Sequence, residues 1–234
     1  MEETTNNSNR IFSIEGNIGS GKSTIVELLK DLKFNKEVVF LREPVDIWNT
    51  IKDKENNTIL SKFYADANKY AFSFQIMAYI SRLSLLRQAI KTHSNKIIIT
   101  ERCIETDKNV FAKMLYDDGK IEEINYKIYL QWFDEFVKDF PVTAFIQINT
   151  SPEKCYERVI QRNRNGETIP LDYLNKCQDY HDVWFNNTNA NIITINNNID
   201  SDNEKYQENL ITIRDFINIF SNYNIPDIEN TFND

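Results

Sequence analysis

The stretch Gly16-Asn17-Ile18-Gly19-Ser20-Gly21-Lys22-Ser23 constrains this chain more than any other. It fits G-x-x-x-x-G-K-[ST], a loop whose backbone N–H groups cradle phosphates while its lysine reaches the terminal phosphates and its hydroxyl reaches Mg²⁺. The chain has five glycines, and three of them fall here, where backbone must approach an anion closely. The flanks agree. Residues 11–14 read as a short buried strand, and residues 24–32, opening on Thr24, carry Ile25, Val26, Leu28, Leu29 and Leu32 on one helical face. Strand, glycine loop and helix N-terminus together favour bound phosphate. A chance match in a turn is the competing reading, and the intact flanks weigh against it.

At 234 residues the chain can bury a sizeable core, and it shows no linker or repeat that would divide it. It reads as one domain, 1–234, with 1–10 and 224–234 as loose tails. Hydrophobic residues at 41% and charged residues at 26% are the balance of a soluble globule. The net charge of −8 argues against a long nucleic-acid partner, which calls for a basic face. No apolar run is long enough to span a membrane. The acidic N-terminus resembles neither a secretory signal nor a mitochondrial presequence, and Cys103, Cys155 and Cys177 lack metal-like spacing. These features set the expectation of a cytoplasmic location.

Further β-like runs lie at 38–41, 97–100, 144–148 and 192–195, separated by helical patterns at 72–90, 121–140, 152–161, 171–185 and 206–220. The alternation predicts an α/β fold, a five-stranded parallel sheet flanked by helices. Ligands in such sheets bind beyond the carboxyl ends of the strands. There the chain places Glu43, followed by Pro44, and the pair Glu101-Arg102. Phosphoryl transfer needs a carboxylate to accept the acceptor's proton and cations to stabilise charge. Glu43 is the candidate base, Lys22 and Arg102 the phosphate contacts, and Ser23 and Glu101 the Mg²⁺ ligands. A surface Glu-Pro turn and a strand-end salt bridge are the structural alternatives. Arg158, Arg162 and Arg164 run into a polar loop with the fifth glycine, as a lid over ATP would; a solvated helix paired with Glu153 and Glu157 is the plainer reading. Gln75, Ala78 and Arg82 share one helix face, where they could read a base edge between Trp48, Tyr64, Phe74 and Phe111, or simply line an aromatic core. His93 and His181 look unremarkable.

These pieces, in this order, resemble the deoxynucleoside kinase family. The likeness runs from residue 11 to about 206 and rests on the glycine loop with Ile14-Glu15 and Thr24, on Glu43-Pro44-Val45 with Trp48, and on Phe74-Gln75 with Ser81-Arg82. It continues through Glu101-Arg102, Asp107 with Phe111, the three arginines, and Ile169-Pro170-Leu171-Asp172-Tyr173-Leu174. The resemblance implies a P-loop kinase fold with an arginine-rich lid, using ATP and Mg²⁺ to phosphorylate the 5′-hydroxyl of a deoxynucleoside. It implies that Glu43 takes the hydroxyl proton beside Arg102 and that Glu101 joins the magnesium shell. Tyr64 and Glu167 would hold the sugar 3′-hydroxyl and Gln75 the base. Arg82 with Asp107, and more weakly Ala78, match members that accept deoxycytidine or purine deoxynucleosides over thymidine. It further implies a homodimer built through a helix pair. The sequence departs from the pattern at Cys103, at Lys108 and in a lid one residue shorter.

Two other functions remain in view. A nucleoside monophosphate kinase of the thymidylate kinase type shares the P-loop and lid, but has Glu-Pro-Gly where this chain has Glu43-Pro44-Val45. A non-catalytic P-loop nucleotide sensor would have no need of a base such as Glu43.

Overall fold

The computed structural model describes residues 9–164, 167–199 and 204–222. The expected tails therefore lie largely outside the described residues, as do Asn165 and Gly166 of the expected lid. Arg10 corrects the tail boundary, because it opens the first strand. Asn9 before it is buried, donating from Nδ2 to His93 O at 2.7 Å and accepting from Lys96 N at 2.8 Å.

Five parallel strands form one sheet: β1 (Arg10–Glu15), β2 (Val38–Leu41), β3 (Ile97–Glu101), β4 (Ala144–Asn149) and β5 (Ile192–Asn196), in the order β2-β3-β1-β4-β5. The three inner strands are almost wholly buried, while β2 and β5 are half-exposed edges. Side chains alternate between the two faces. On one face Phe12, Ile14, Ile97, Ile99 and Ile146 pack against helices α1 (Lys22–Leu29) and α10 (Glu204–Asn222). On the other, Ile11 and Ile98 meet α4 (Ala67–Thr92) and α7 (Glu123–Phe136) through Tyr79, Leu83, Tyr129 and Phe133.

Two further helices, α2 (Val45–Thr50) and α3 (Ile59–Ala65), dock on α4 through Trp48, Leu60, Phe63 and Phe74. Beyond β3 the chain runs through a short turn α5 (Ile104–Thr106), a π-helical turn over Asp107–Ala112, and α6 (Lys113–Asp117). Then α8 (Pro152–Arg162) and α9 (Leu171–Asn187) close the carboxyl end of the sheet around Cys155, Val159, Ile169 and Leu174. The expected helix at 24–32 starts two residues earlier and ends at Leu29, and the one expected at 121–140 ends at Phe136 and passes into a 3₁₀ turn, Val137–Asp139. None of the helices among the described residues is long and apolar enough to cross a membrane.

Candidate active site

Residues 16–21 turn from β1 into α1 at the carboxyl end of the central strand, the place such sheets reserve for ligands. Gly19 and Gly21 sit at φ +83° and +96°. A Cβ on Gly19 would lie 2.5 Å from the Cys155 carbonyl oxygen, and one on Gly21 would lie 2.6 Å from Asn197 Nδ2. Both positions therefore need glycine for conformation and for space. Asn17 pins the loop from within, donating from Nδ2 to Leu174 O at 2.8 Å.

Lys22 follows, and its Nζ donates to Asn17 O at 2.7 Å. Burial, then the nearby charge of Arg102, pushes its pKa down to about 8, so it remains charged at neutral pH. Ser23 Oγ donates to Glu101 Oε1 at 2.6 Å, bringing a hydroxyl and a carboxylate together at the same wall. Two hard oxygen donors suit Mg²⁺, which takes one or two protein ligands and fills its shell with phosphate and water. Among the described residues there is no larger cluster of metal-ligating side chains.

Opposite stands Glu43, just past β2 on the turn into α2. Its Oε1 lies 3.2 Å from Arg82 Nη2 and 3.4 Å from Arg102 Nε. Burial works to raise its pKa, but Arg102, Arg82 and Lys22 outweigh that and hold the carboxyl below its ordinary value. Glu43 is thus kept ionised. Arg102 adopts φ 63°, a left-handed conformation that costs a side-chain-bearing residue energy. That turn aims its guanidinium back under the glycine loop, where Nη1 donates to Gly16 O at 2.6 Å. The same group lies 4.9 Å above the Phe111 ring.

The π-helical turn presents Asp107 to Arg82 and Phe111 to Arg102. Arg82 is held on every nitrogen: Nε and Nη2 reach Asp107 at 3.0 and 3.3 Å, and Nη1 donates to Glu101 O at 3.0 Å. Gln75, earlier on α4, is buried with its Oε1 lacking any partner among the described residues. Trp48 donates from Nε1 to Ser81 Oγ at 2.9 Å and packs edge-on against Phe74.

One cavity of about 590 Å³ joins these parts, from Gly19, Lys22, Ser23 and Thr24 at one end to Tyr64, Gln75, Ala78 and Asp107 at the other. Arg162, Arg164 and Glu167 also line it, with Arg162 donating to Glu167 at 2.6 Å. Arg158 lines it as well. Its guanidinium donates to the carbonyls of Ser20, Asn197 and Ile199 at 3.3, 3.1 and 2.7 Å, clamping the glycine loop to the segment after β5.

Leu60, Phe63, Tyr173, Asn197 and Tyr206 also line the cavity, and sequence reasoning gave none of them a role in the site. Asn197 was accessible in principle, since it directly follows a strand; its Nδ2 donates to Ser20 O at 2.8 Å. His181 is buried with Nε2 unpartnered among the described residues, and burial, then Arg102, lowers its pKa to about 3, leaving it neutral and unfit for acid–base work.

A family model described as deoxynucleoside kinase matches residues 12–218. A probable deoxycytidine kinase of fowlpox virus is 34% identical over 217 residues, covering 88% of this chain and 87% of that protein. Human deoxycytidine kinase is 33% identical over 194 residues, covering 74% of each chain. Human mitochondrial thymidine kinase 2 is 30% identical over 177 residues, covering 74% of this chain and 63% of its own length. A match of that extent, on a sheet and cavity built as described, places the chain in the deoxynucleoside kinase family.

Proposed function

We propose that this protein transfers the γ-phosphoryl group of ATP to the 5′-hydroxyl of a deoxynucleoside, accepting deoxyadenosine, deoxyguanosine or deoxycytidine over thymidine. The observation that carries this reading is the cavity itself, which has a phosphate loop at one end and an ionised, arginine-flanked Glu43 facing it. Glu43 would take the 5′-hydroxyl proton as the oxygen attacks. Lys22 and Arg102 would stabilise charge on the transferring group in a site screened from water. Ser23 and Glu101 would hold Mg²⁺, which neutralises phosphate charge and orients the donor.

The base preference rests on the far wall. The Gln75 amide can donate to one position of a base edge and accept from its neighbour, as cytosine and adenine require. Its Oε1, unpartnered among the described residues, supports that role. The buried Arg82–Asp107 pair offers a polar surface where a thymine methyl would need an apolar one. Initial rates with Mg·ATP and each of deoxyadenosine, deoxyguanosine, deoxycytidine, thymidine and thymidine monophosphate test the reading. One of the first three should turn over fastest. Transfer to the monophosphate alone would favour the thymidylate kinase type, and nucleotide binding without transfer would favour a sensor.

A homodimer through α4 and α7 completes the proposal. Ile80 on α4 and Ile124, Ile128 and Trp132 on α7 are exposed, and Tyr79 Oη donates to Trp132 O at 2.9 Å, tying the two helices together. An apolar strip of that kind marks an interaction surface.

A further inference from the structure

Donors from three parts of the chain converge on one backbone atom of the glycine loop, the carbonyl oxygen of Ser20. Asn197 Nδ2 donates to it at 2.8 Å, Thr150 Oγ1 at 3.1 Å and Arg158 Nη1 at 3.3 Å. A carbonyl oxygen has two lone pairs, so a third donor is more than its satisfaction requires. Ser20, Thr150 and Asn197 are all buried. Thr150 and Asn197 are each the first residue past a strand, β4 and β5, and Asn197 N donates to Asn149 O at 2.8 Å, which fixes the two against each other. Asn197 Oδ1 has no partner among the described residues, so the one hydrogen bond its side chain makes among them goes to the loop.

We propose that Thr150 and Asn197 are positioning residues for ATP, a latch that turns the Ser20 carbonyl away from the cavity and so aims the Gly21 N–H into it, at the phosphates. The cause is the planar trans peptide, in which the C=O of one residue and the N–H of the next point opposite ways. Ser20 O faces the ends of β4 and β5, and Gly21 lines the cavity. A free glycine loop samples many peptide orientations, because glycine adopts positive φ as readily as negative, and Gly21 stands at +96°. Holding the Ser20–Gly21 peptide from behind removes that freedom before the nucleotide arrives, and a group already fixed loses less entropy on binding. Thr150, wholly buried behind the loop, acts on the nucleotide through Ser20. The assignment rests on reading the loop as the site of the ATP phosphates.

The test measures Kd for Mg·ATP and for magnesium tripolyphosphate, which has phosphates but no base or ribose, together with kcat and both KM values. It compares native protein with Thr150→Val, Thr150→Ser and Asn197→Leu. Thr150→Val keeps the side chain's shape and removes its hydroxyl. It should weaken ATP and tripolyphosphate by one common factor, about three- to tenfold, the size of one buried hydrogen bond, and leave KM for the deoxynucleoside within about twofold. Thr150→Ser, which keeps the hydroxyl, should behave as native, and Asn197→Leu should repeat the Thr150→Val pattern. A variant that merely loses folded protein would lower kcat and leave both affinities unchanged, against the proposal. A penalty that spreads equally to the deoxynucleoside would overturn the assignment. So would a penalty on ATP that spares tripolyphosphate, because it would put the side chain on the base or ribose. Native protein that binds Mg·ATP yet phosphorylates no deoxynucleoside would sink the functional reading alone, and the affinity ratios would still decide the latch.

Discussion

Lys22 must be charged to meet phosphate, yet the fold buries it, and burial followed by Arg102 lowers its pKa from 10.5 to about 8. Between those two values the unfolded chain holds a proton that the folded chain has released, so folding grows more favourable as pH rises through that window. Below it the buried charge costs stability. Lys22→Met should therefore raise the unfolding free energy read from urea transitions at pH 7, by on the order of 1–2 kcal/mol, with the gain shrinking toward pH 10 while transfer is abolished. In the native enzyme kcat/KM for ATP should fall above a pKa of about 8, and Lys22→Arg should remove that limb, because arginine stays charged. A pH–rate profile checks both. Glu43, by contrast, is already ionised at neutral pH. These residues were legible because local signals mark them: a glycine pattern for Lys22 and Ser23, a strand end followed by proline for Glu43. Leu60, Phe63 and Tyr206 carry no such mark. They reach the cavity by folding together segments far apart in the chain.

The five strands were readable as elements, since buried parallel strands appear as compact apolar runs, and each strand boundary lies within a residue of expectation. Helix α4 was readable but begins five residues earlier than its apolar pattern, at a cap where Asp66 Oδ1 accepts from Lys69 N at 3.2 Å. Helices α2 and α3, with six and seven residues, are too short to display two turns of periodicity. The π-helical turn at Asp107–Ala112 has no sequence signature, yet it sets Asp107 on Arg82 and Phe111 under Arg102. Helix α2 is held by Trp48, buried against Phe74 and bonded to Ser81. Trp48→Phe removes that hydrogen bond and leaves Ser81 Oγ without its donor. It should cost about 1–2 kcal/mol in denaturant unfolding, with KM for the deoxynucleoside rising more than KM for ATP, because Trp48 borders only the far end of the cavity.

At the scale of the whole molecule, the sheet joins a glycine loop and the half-buried Glu43 carboxylate across one cavity, and its stability depends also on a buried imidazole packed behind the cavity wall, 6.4 Å from the Phe111 ring. His181 is neutral in the fold down to a pKa of about 3, against 6.5 when exposed. The unfolded chain binds the extra proton in that interval, so stability should decline as pH falls from 6.5 toward 3. Denaturant midpoints measured down that range should show a steeper decline for native protein than for His181→Gln. Oligomeric state was not legible from local pattern, because an exposed apolar helix face looks like a buried one until the core is assembled. If α4 and α7 pair two copies, Ile128→Glu with Trp132→Glu should shift the native mass in solution from dimer to monomer, as light scattering reads directly. The most direct test of the central claim is single-turnover phosphate transfer to the best deoxynucleoside by native protein and Glu43→Gln, with nucleoside binding measured on the same samples. The account predicts that binding survives while the transfer rate falls by about 10²- to 10⁴-fold. A Glu43→Gln protein that transfers phosphate at the native rate would contradict it.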